Sequence, residues 1–555
     1  MKKIWVLLLA ALTVIALLSA SALADDALAF QKFDHVVEVH IGMSVSPTDT
    51  SLEEGDTYDN NYYTRYLLDN YNIKVVVDWT AAEGDNFNQK VAQCIASDSL
   101  PDGVVVTDRS YFLPAAENEM LYDLSDVFDK YASDQVKQYY DLTNGQALAN
   151  VTYGGEMLAL MNITAGADGV HVLMIQQNWL DELGLEAPKT LKDVYEIAKK
   201  FKEAKLAGDR TVPILGAQKD SRVYANFLYS SNIICGFEPV FTALDAYPGF
   251  FLVDDAGKVS YGTTSSQMRD SLELLAKWYA EGLIDPEFAT RDSYAEVINA
   301  NECGMFFAPW WEIGYGNLDS FRNSDSVDWQ AYAIYTDDGK WNSKMKTVGT
   351  SYTLVNCDVS EEVAAAIVIM NNAIVRYESI FNQETVEGIG WYPLRNVMTT
   401  ADECEHTYRE LLKVLNGEAD PEAYKDEIVY KTLYSDVSAV REVIPGYEKG
   451  RQISRKDFVS DITNKNYQRM YSLLIGDRPY ATGTIDKPVY SVTYATNDVI
   501  DRYWTNLSAL EDTVIRSIIT GQSDISAFDD FVKQWMAEGG DKVLESVQAE
   551  YDAAH

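Results

Sequence analysis

The chain has 555 residues, and 85 acidic against 45 basic side chains give it a formal net charge of −40. So acidic a chain has no electrostatic reason to bind nucleic acid or an anionic membrane surface. Its length exceeds what one core can organise, so at least two domains are expected.

Residues 1–24, MKKIWVLLLAALTVIALLSASALA, read as a secretory leader. Lys2 and Lys3 form the basic start, Ile4 to Leu18 the apolar core, and Ala22-Leu23-Ala24 a small-x-small cleavage site. An apolar run of about 15 residues is short for a bilayer span. The mature chain is therefore expected outside the cytoplasm and soluble.

The first strands expected are IKVVVDW (Ile73–Trp79) and DGVVVTD (Asp102–Asp108), short β-branched runs between turn formers. Directly after the second comes TDRSY, with Asp108, Arg109 and Tyr111 at a strand end. A helix follows in PKTLKDVYEIAKKFKEAKLAGD. Thr190 is its expected N-cap, Asp193 completes a capping box, and Val194, Ile197, Ala198 and Phe201 form the apolar stripe. SLELLAKWYAEGLIDPEF repeats that logic with Leu272, Leu275, Ala276 and Tyr279, and stops at Gly282.

CGMFFAPWWEIGYGN (Cys303–Asn317) is an apolar run closed by Pro309 and followed by Trp310, Trp311 and Glu312. Adjacent side chains of a strand point to opposite faces, so both rings cannot enter one core if the strand continues. Proline makes continuation unfavourable. Two flat rings at a strand end suit the C–H face of a sugar, whose hydroxyl fringe is served by carboxylates, amides and arginine. Further on, GIGWYPLRN (Gly388–Asn396) holds a second adjacent pair, Trp391-Tyr392, between glycines and Pro393. The last helix expected, in SAFDDFVKQWMAEGGDKV, has Ser526 as cap, a stripe of Phe528, Phe531, Val532 and Trp535, and Gly539-Gly540 as stop. Strands interleaved with amphipathic helices mean an α/β architecture.

Catalytic signatures are missing. The five histidines make no metal-spaced pair, and there is no G-x-S-x-G, H-E-x-x-H or P-loop. No metal and no cofactor is expected. A glycoside hydrolase would need only two facing carboxylates, but no motif marks such a pair. The five cysteines (Cys94, Cys235, Cys303, Cys357, Cys404) have neither zinc nor redox spacing and are expected as buried thiols.

Taken in order, six stretches resemble the extracellular solute-binding proteins of bacterial ABC importers, of the sugar- and oligosaccharide-binding type. They are IASDSLPDGVVVTDRSYFLPAAENEMLYDLSDVFDKYAS, NWLDELGLEAPKTLKDVYEIAKKF, WYAEGLIDPEF, CGMFFAPWW, VGTSYTLVNCDVSEE and IITGQSDISAFDDFVKQWMAEGGDKVLESVQAEY. The resemblance implies a two-lobed clamshell with ligand between the lobes, one lobe from residues 30–168 and 350–400, the other from 169–349 and 401–555. It implies a monomer that binds a carbohydrate, closes on it and docks on a membrane permease, without turnover. A peptide ligand would use the same lobes and stays an alternative. Maltose-binding relatives carry a stacking tryptophan after Gly-x-x-x-x-Pro, which Trp310 matches, with Trp311 as an additional ring. An Asp-Arg pair bonds ligand hydroxyls in similar proteins, and Asp108-Arg109 match it. Such proteins usually carry a lipidated cysteine after the leader. The first cysteine here is Cys94, so a lipid anchor is not expected, and a released, permease-held or periplasmic protein all remain open.

Overall fold

The computed structural model describes residues 27–228, 233–316, 318–324, 326–384, 388–464 and 466–554. The leader expected over residues 1–24 lies outside them. The chain divides into two compact units, one from residues up to Thr164 with Val348–Ala401, the other from Ala165–Thr347 with Asp402 onward.

Unit 1 is built on a five-stranded sheet in the order Ile73–Ala82, Val37–Val45, Gly103–Val106, Tyr352–Val355, Ala159–Met161. The first three strands are parallel, and Tyr352–Val355 runs antiparallel to both of its neighbours. The register of the first pair slips between Ile41 and Gly42. Gly42 is required there because a Cβ would lie 2.2 Å from the ring of Trp79. A 24-residue helix, Glu361–Glu384, packs across the Val37–Val45 strand. Asn372 pins it: Nδ2 donates to the carbonyls of Ala29 and Tyr131, and Oδ1 accepts from the Ser133 amide.

Unit 2 holds a four-stranded sheet in the order Trp329–Tyr332, His171–Gln176, Cys303–Pro309, Val212–Ile214. Every residue of His171–Gln176 and Cys303–Pro309 is buried, as expected of strands covered on both faces. Alternation divides them: Leu173, Ile175, Met305 and Phe307 enter one core cluster, and Val172, Met174, Phe306 and Ala308 enter another. On the first face Phe201 lies over Gly304, where a Cβ would approach the ring to 2.2 Å.

The helix Leu191–Ala204 begins as its sequence requires. Thr190 caps it, Asp193 closes the capping box, and Val194, Ile197, Ala198 and Phe201 are buried. Two other helices depart in detail. In Ser266–Ala280 the buried face is Met268, Leu272, Leu275 and Trp278, so the stripe turns away from Ala276 and Tyr279, which are half-buried. The large indole wins the inner position. In Ser526–Trp535, Ser526 is the first helical residue and not the cap; its amide is held by Asp524 Oδ1 at 2.9 Å. Gly539, with φ of 119°, turns the chain before a further helix, Asp541–Ala554.

Four of the cysteines are buried thiols, whereas Cys357 is exposed, which corrects the expectation for that residue. Among the described residues no helix is long and apolar enough to cross a membrane.

Candidate functional site

In unit 2 the strand Cys303–Pro309 ends at Pro309, and the chain turns directly into the short helix Glu312–Tyr315. This turn decides where the two tryptophans go. With the strand ended, both rings pack on the same core cluster, Trp310 inside it and Trp311 half-buried against it. Trp310 is 8% exposed, and its indole Nε1 donates to Asp168 Oδ1 at 3.1 Å. Asp168 Oδ2 in turn accepts from Lys346 Nζ at 3.1 Å. Trp310 therefore presents no free ring face, and the expectation that it stacks a sugar is corrected: its volume is spent on the core.

The available surface belongs to its neighbours. Tyr315 is 47% exposed, and Trp311 and Tyr294 are half-buried. Glu312 lies among them, only 4% exposed, and burial alone pushes its carboxyl up to about 7. Its carboxyl folds over Gly316, where a Cβ would clash with it. Burial, and after it the Glu312 charge, pushes the Tyr294 hydroxyl up, which puts the two groups within electrostatic reach. The Tyr294 amide donates to Gln218 Oε1 at 3.4 Å, and Gln218 follows the Val212–Ile214 strand closely. Strands parallel to each other thus send Gln218 and Glu312 out at one end of the sheet, the end at which open α/β sheets bind ligands. Tyr294, Tyr315 and Gln218 were not singled out by sequence. Nothing distinguishes two tyrosines among the 36 in the chain.

The raised Glu312 carboxyl has a consequence for stability. Its folded value lies above the ordinary 4.5, so between those values the folded state holds a proton that the unfolded chain has lost. Stability then falls as pH rises from about 4.5 to about 7. Buried Glu511, accepting from the hydroxyls of Tyr224 and Tyr261, and Glu405 are pushed up to about 7 as well and add to the same slope. Glu312→Gln is expected to show a smaller drop in melting temperature between pH 5 and pH 8 than the wild type. An identical drop in both would mean that Glu312 does not titrate in this window.

In unit 1 the strands Val37–Val45 and Gly103–Val106 are parallel neighbours, with Gly42 beside Val104, so their following loops leave the same sheet edge. After the second strand, Asp108 turns back to cap the helix Arg109–Glu117, its carboxylate accepting from the Ser110 amide at 2.8 Å. Asp108, Arg109 and Tyr111 are all half-buried. The loop after the first strand carries Ser51, whose hydroxyl accepts from the Gly388 amide and from Trp391 Nε1, each at 2.9 Å, and donates to Asp49. Trp391 is 4% exposed beneath Tyr58, which stacks on it at 5.6 Å and is itself 39% exposed. The ring that faces outward here is Tyr58, not Trp391.

Tyr392 is 1% exposed, lies between Phe381 and Tyr63, and donates its hydroxyl to the Met370 carbonyl at 2.7 Å. It is a core residue of unit 1, which corrects its place among the ligand contacts. A fully buried ring with its one polar atom satisfied has nothing left for a ligand.

Among the described residues no group of three or more His, Cys, Asp or Glu side chains could hold a metal ion. The chain matches, over residues 49–366, the family profile described as bacterial extracellular solute-binding protein. It is 21% identical to the lipoprotein LipO of Bacillus subtilis over 512 residues, covering 88% of each chain. It is 24% identical over 245 residues to the fructooligosaccharide ABC transporter substrate-binding protein FusA of Streptococcus pneumoniae, covering 42% of this chain and 44% of that one. An extracellular solute-binding protein from Bifidobacterium longum subsp. infantis superposes with a TM-score of 0.54 at 14% identity, over 94% of this chain and 99% of that one. At that identity the likeness speaks for the fold alone.

Proposed function

Because the chain belongs to the bacterial extracellular solute-binding protein family, we propose that it is the capture component of an ABC importer for a carbohydrate. It works outside the cytoplasm and is a binding protein, not an enzyme. In this reading the ligand is an oligosaccharide, the two units close on it, and the loaded protein delivers it to a transmembrane permease. The observation that carries the carbohydrate part is the pair of rings after the Cys303–Pro309 strand, Trp311 half-buried and Tyr315 exposed, with the buried Glu312 carboxyl behind them. Rings offer a platform to the C–H faces of a sugar. The fructooligosaccharide named for FusA supports the same ligand class. In unit 1, the Asp108-Arg109 turn and Tyr58 are the proposed counterparts.

Differential scanning fluorimetry against a panel of oligosaccharides and peptides tests the reading. An oligosaccharide at about 100 times its Kd should stabilise the protein by about 2.7 kcal/mol and be recovered uncleaved. Small-angle scattering of that complex should give a smaller radius of gyration than the free protein. Stabilisation by peptides alone, or hydrolysis lost on replacing a single carboxylate, would overturn it.

A further inference from the structure

Unit 2 contains a groove of about 720 Å³ that shares no lining residue with the site around Trp311 and Glu312. The volume lies within the range of small-molecule sites, about 300–1,000 Å³. The helices Leu191–Ala204 and Ser266–Ala280 form part of its wall, and the segment Tyr335–Asn342 runs along it.

Three features of this groove point to one kind of ligand. The first is charge. The chain carries nearly twice as many acids as bases, yet four lysines converge here. Two are neutralised within the groove, Lys340 by Asp338 at 2.9 Å and Lys487 by Asp245 at 2.7 Å. The other two, Lys192 and Lys277, have no carboxylate within ion-pair distance among the described residues; Asp337 is the one lining carboxylate not so paired, and Asp193 acts on Lys192 from outside the groove. The second is an unmet acceptor. Asn342 is 5% exposed and lines the groove. Its Nδ2 donates to the Thr242 carbonyl and to Asp245, both at 3.4 Å, which fixes the amide. Its Oδ1 has no hydrogen-bond partner among the described residues. A buried acceptor left without a donor costs about 1–3 kcal/mol, so a shift of the Asn342 side chain that opens Oδ1 to the groove would let a ligand hydroxyl make a bond the protein does not make itself. The third is aromatic surface: Tyr335 lines the groove half-buried, while the Tyr195 ring beside it is held between Trp278 and the ammonium groups of Lys199 and Lys277, the latter 5.0 Å from its centre.

We propose that this groove is a second binding site, for an acidic sugar of the uronic-acid type. Lys192 and Lys277 take its carboxylate, Asn342 Oδ1 accepts from a ring hydroxyl, and Tyr335 covers its C–H face. A neutral sugar would leave the two ammonium groups unused, and a simple anion would leave Asn342 unmet.

The site stands independently of the carbohydrate-capture reading and is tested apart from it. The probe is trigalacturonic acid, titrated calorimetrically into the full mature protein, with galactotriose and sodium sulfate as controls. Trigalacturonic acid should bind, more weakly as salt is raised, and Trp311→Ala should leave that binding unchanged. Lys192→Ala/Lys277→Ala should weaken it at least tenfold with an unaltered melting temperature, since both side chains are exposed. Asn342→Asp should weaken it too, by placing a carboxylate at the floor. The proposal fails if the wild type does not bind the probe, or if galactotriose or sulfate binds Trp311→Ala as well as trigalacturonic acid does. It also fails if binding survives loss of both lysines, or disappears in Trp311→Ala.

Discussion

Lys344→Ala is expected to destabilise unit 2 by about 3–5 kcal/mol, the cost of breaking a buried ion pair by removing one partner. Lys344 is 5% exposed at the end of the Asn342–Lys344 strand. Its ammonium donates to the carbonyls of Ala225 at 2.5 Å and Pro248 at 2.6 Å and to Glu238 Oε1 at 3.0 Å. Tyr224 and Phe250 lie beneath the same cation, at 5.6 and 4.6 Å. Glu238, 3% exposed, also accepts from the Ala225 amide, while its Oε2 makes no hydrogen bond among the described residues. One side chain thus fastens the Ala225–Phe250 segment to the Asn342–Lys344 strand. Burial pulls the Lys344 ammonium below its ordinary range, and the Glu238 carboxylate pulls the other way. Truncation strands a buried carboxylate and two carbonyls together. Lys344→Met/Glu238→Leu removes both charges and should lose less than Lys344→Ala alone; denaturant unfolding of Lys344→Met, Glu238→Leu and the double variant reads the coupling. If Lys344→Ala unfolds within 1 kcal/mol of the wild type, the ammonium is not what holds the segment.

That pair also shows where sequence reading stops. Thr190 and Asp193 are three residues apart, and their capping box was legible because its geometry is local. Lys344 and Glu238 are 106 residues apart, Trp310 and Asp168 142, and Trp391 and Ser51 340. No spacing rule joins such partners; only the fold does. The α/β class was legible for the opposite reason, since it rests on periodicity within each element. The candidate site fell between these cases. Its location after the Cys303–Pro309 strand could be read from the proline and the paired rings. Which ring faces outward could not, because alternation assigns faces only within a strand: Trp310-Trp311 sit where the strand has ended, and Trp391-Tyr392 lie in a turn after the helix Glu361–Glu384. In each pair one ring is drawn deeper: Trp310 into the unit 2 core, Tyr392 into that of unit 1. The outward rings, Tyr58 and Tyr315, were hidden in a chain rich in tyrosine.

The burial of Trp310 sets the second large effect. Trp310→Ala should destabilise the protein by about 3–5 kcal/mol, as aromatic-to-alanine changes in a core do. Three contacts make the site unable to collapse around the loss. The ring is embedded with Phe306, Ala308 and Ile313 in one cluster. Its indole N–H is fixed by Asp168, itself held by Lys346. Its backbone carbonyl lies so close to Gly476 that a Cβ there would come within 2.0 Å, so the chain on that side cannot move inward. Trp310→Phe retains most of the ring and forfeits the bond to Asp168, whose carboxylate keeps Lys346; a loss of about 1.5–3 kcal/mol is expected, the usual worth of a hydrogen bond to a charged group. Trp311→Ala should behave differently, since its ring is only half-buried: a small change in melting temperature, and oligosaccharide affinity lowered at least tenfold. The contrast between neighbours is the test. Were Trp310→Ala to melt like the wild type while binding weakly, the core placement of Trp310 would be wrong, and Trp310 rather than Trp311 would be the ring that ligand covers.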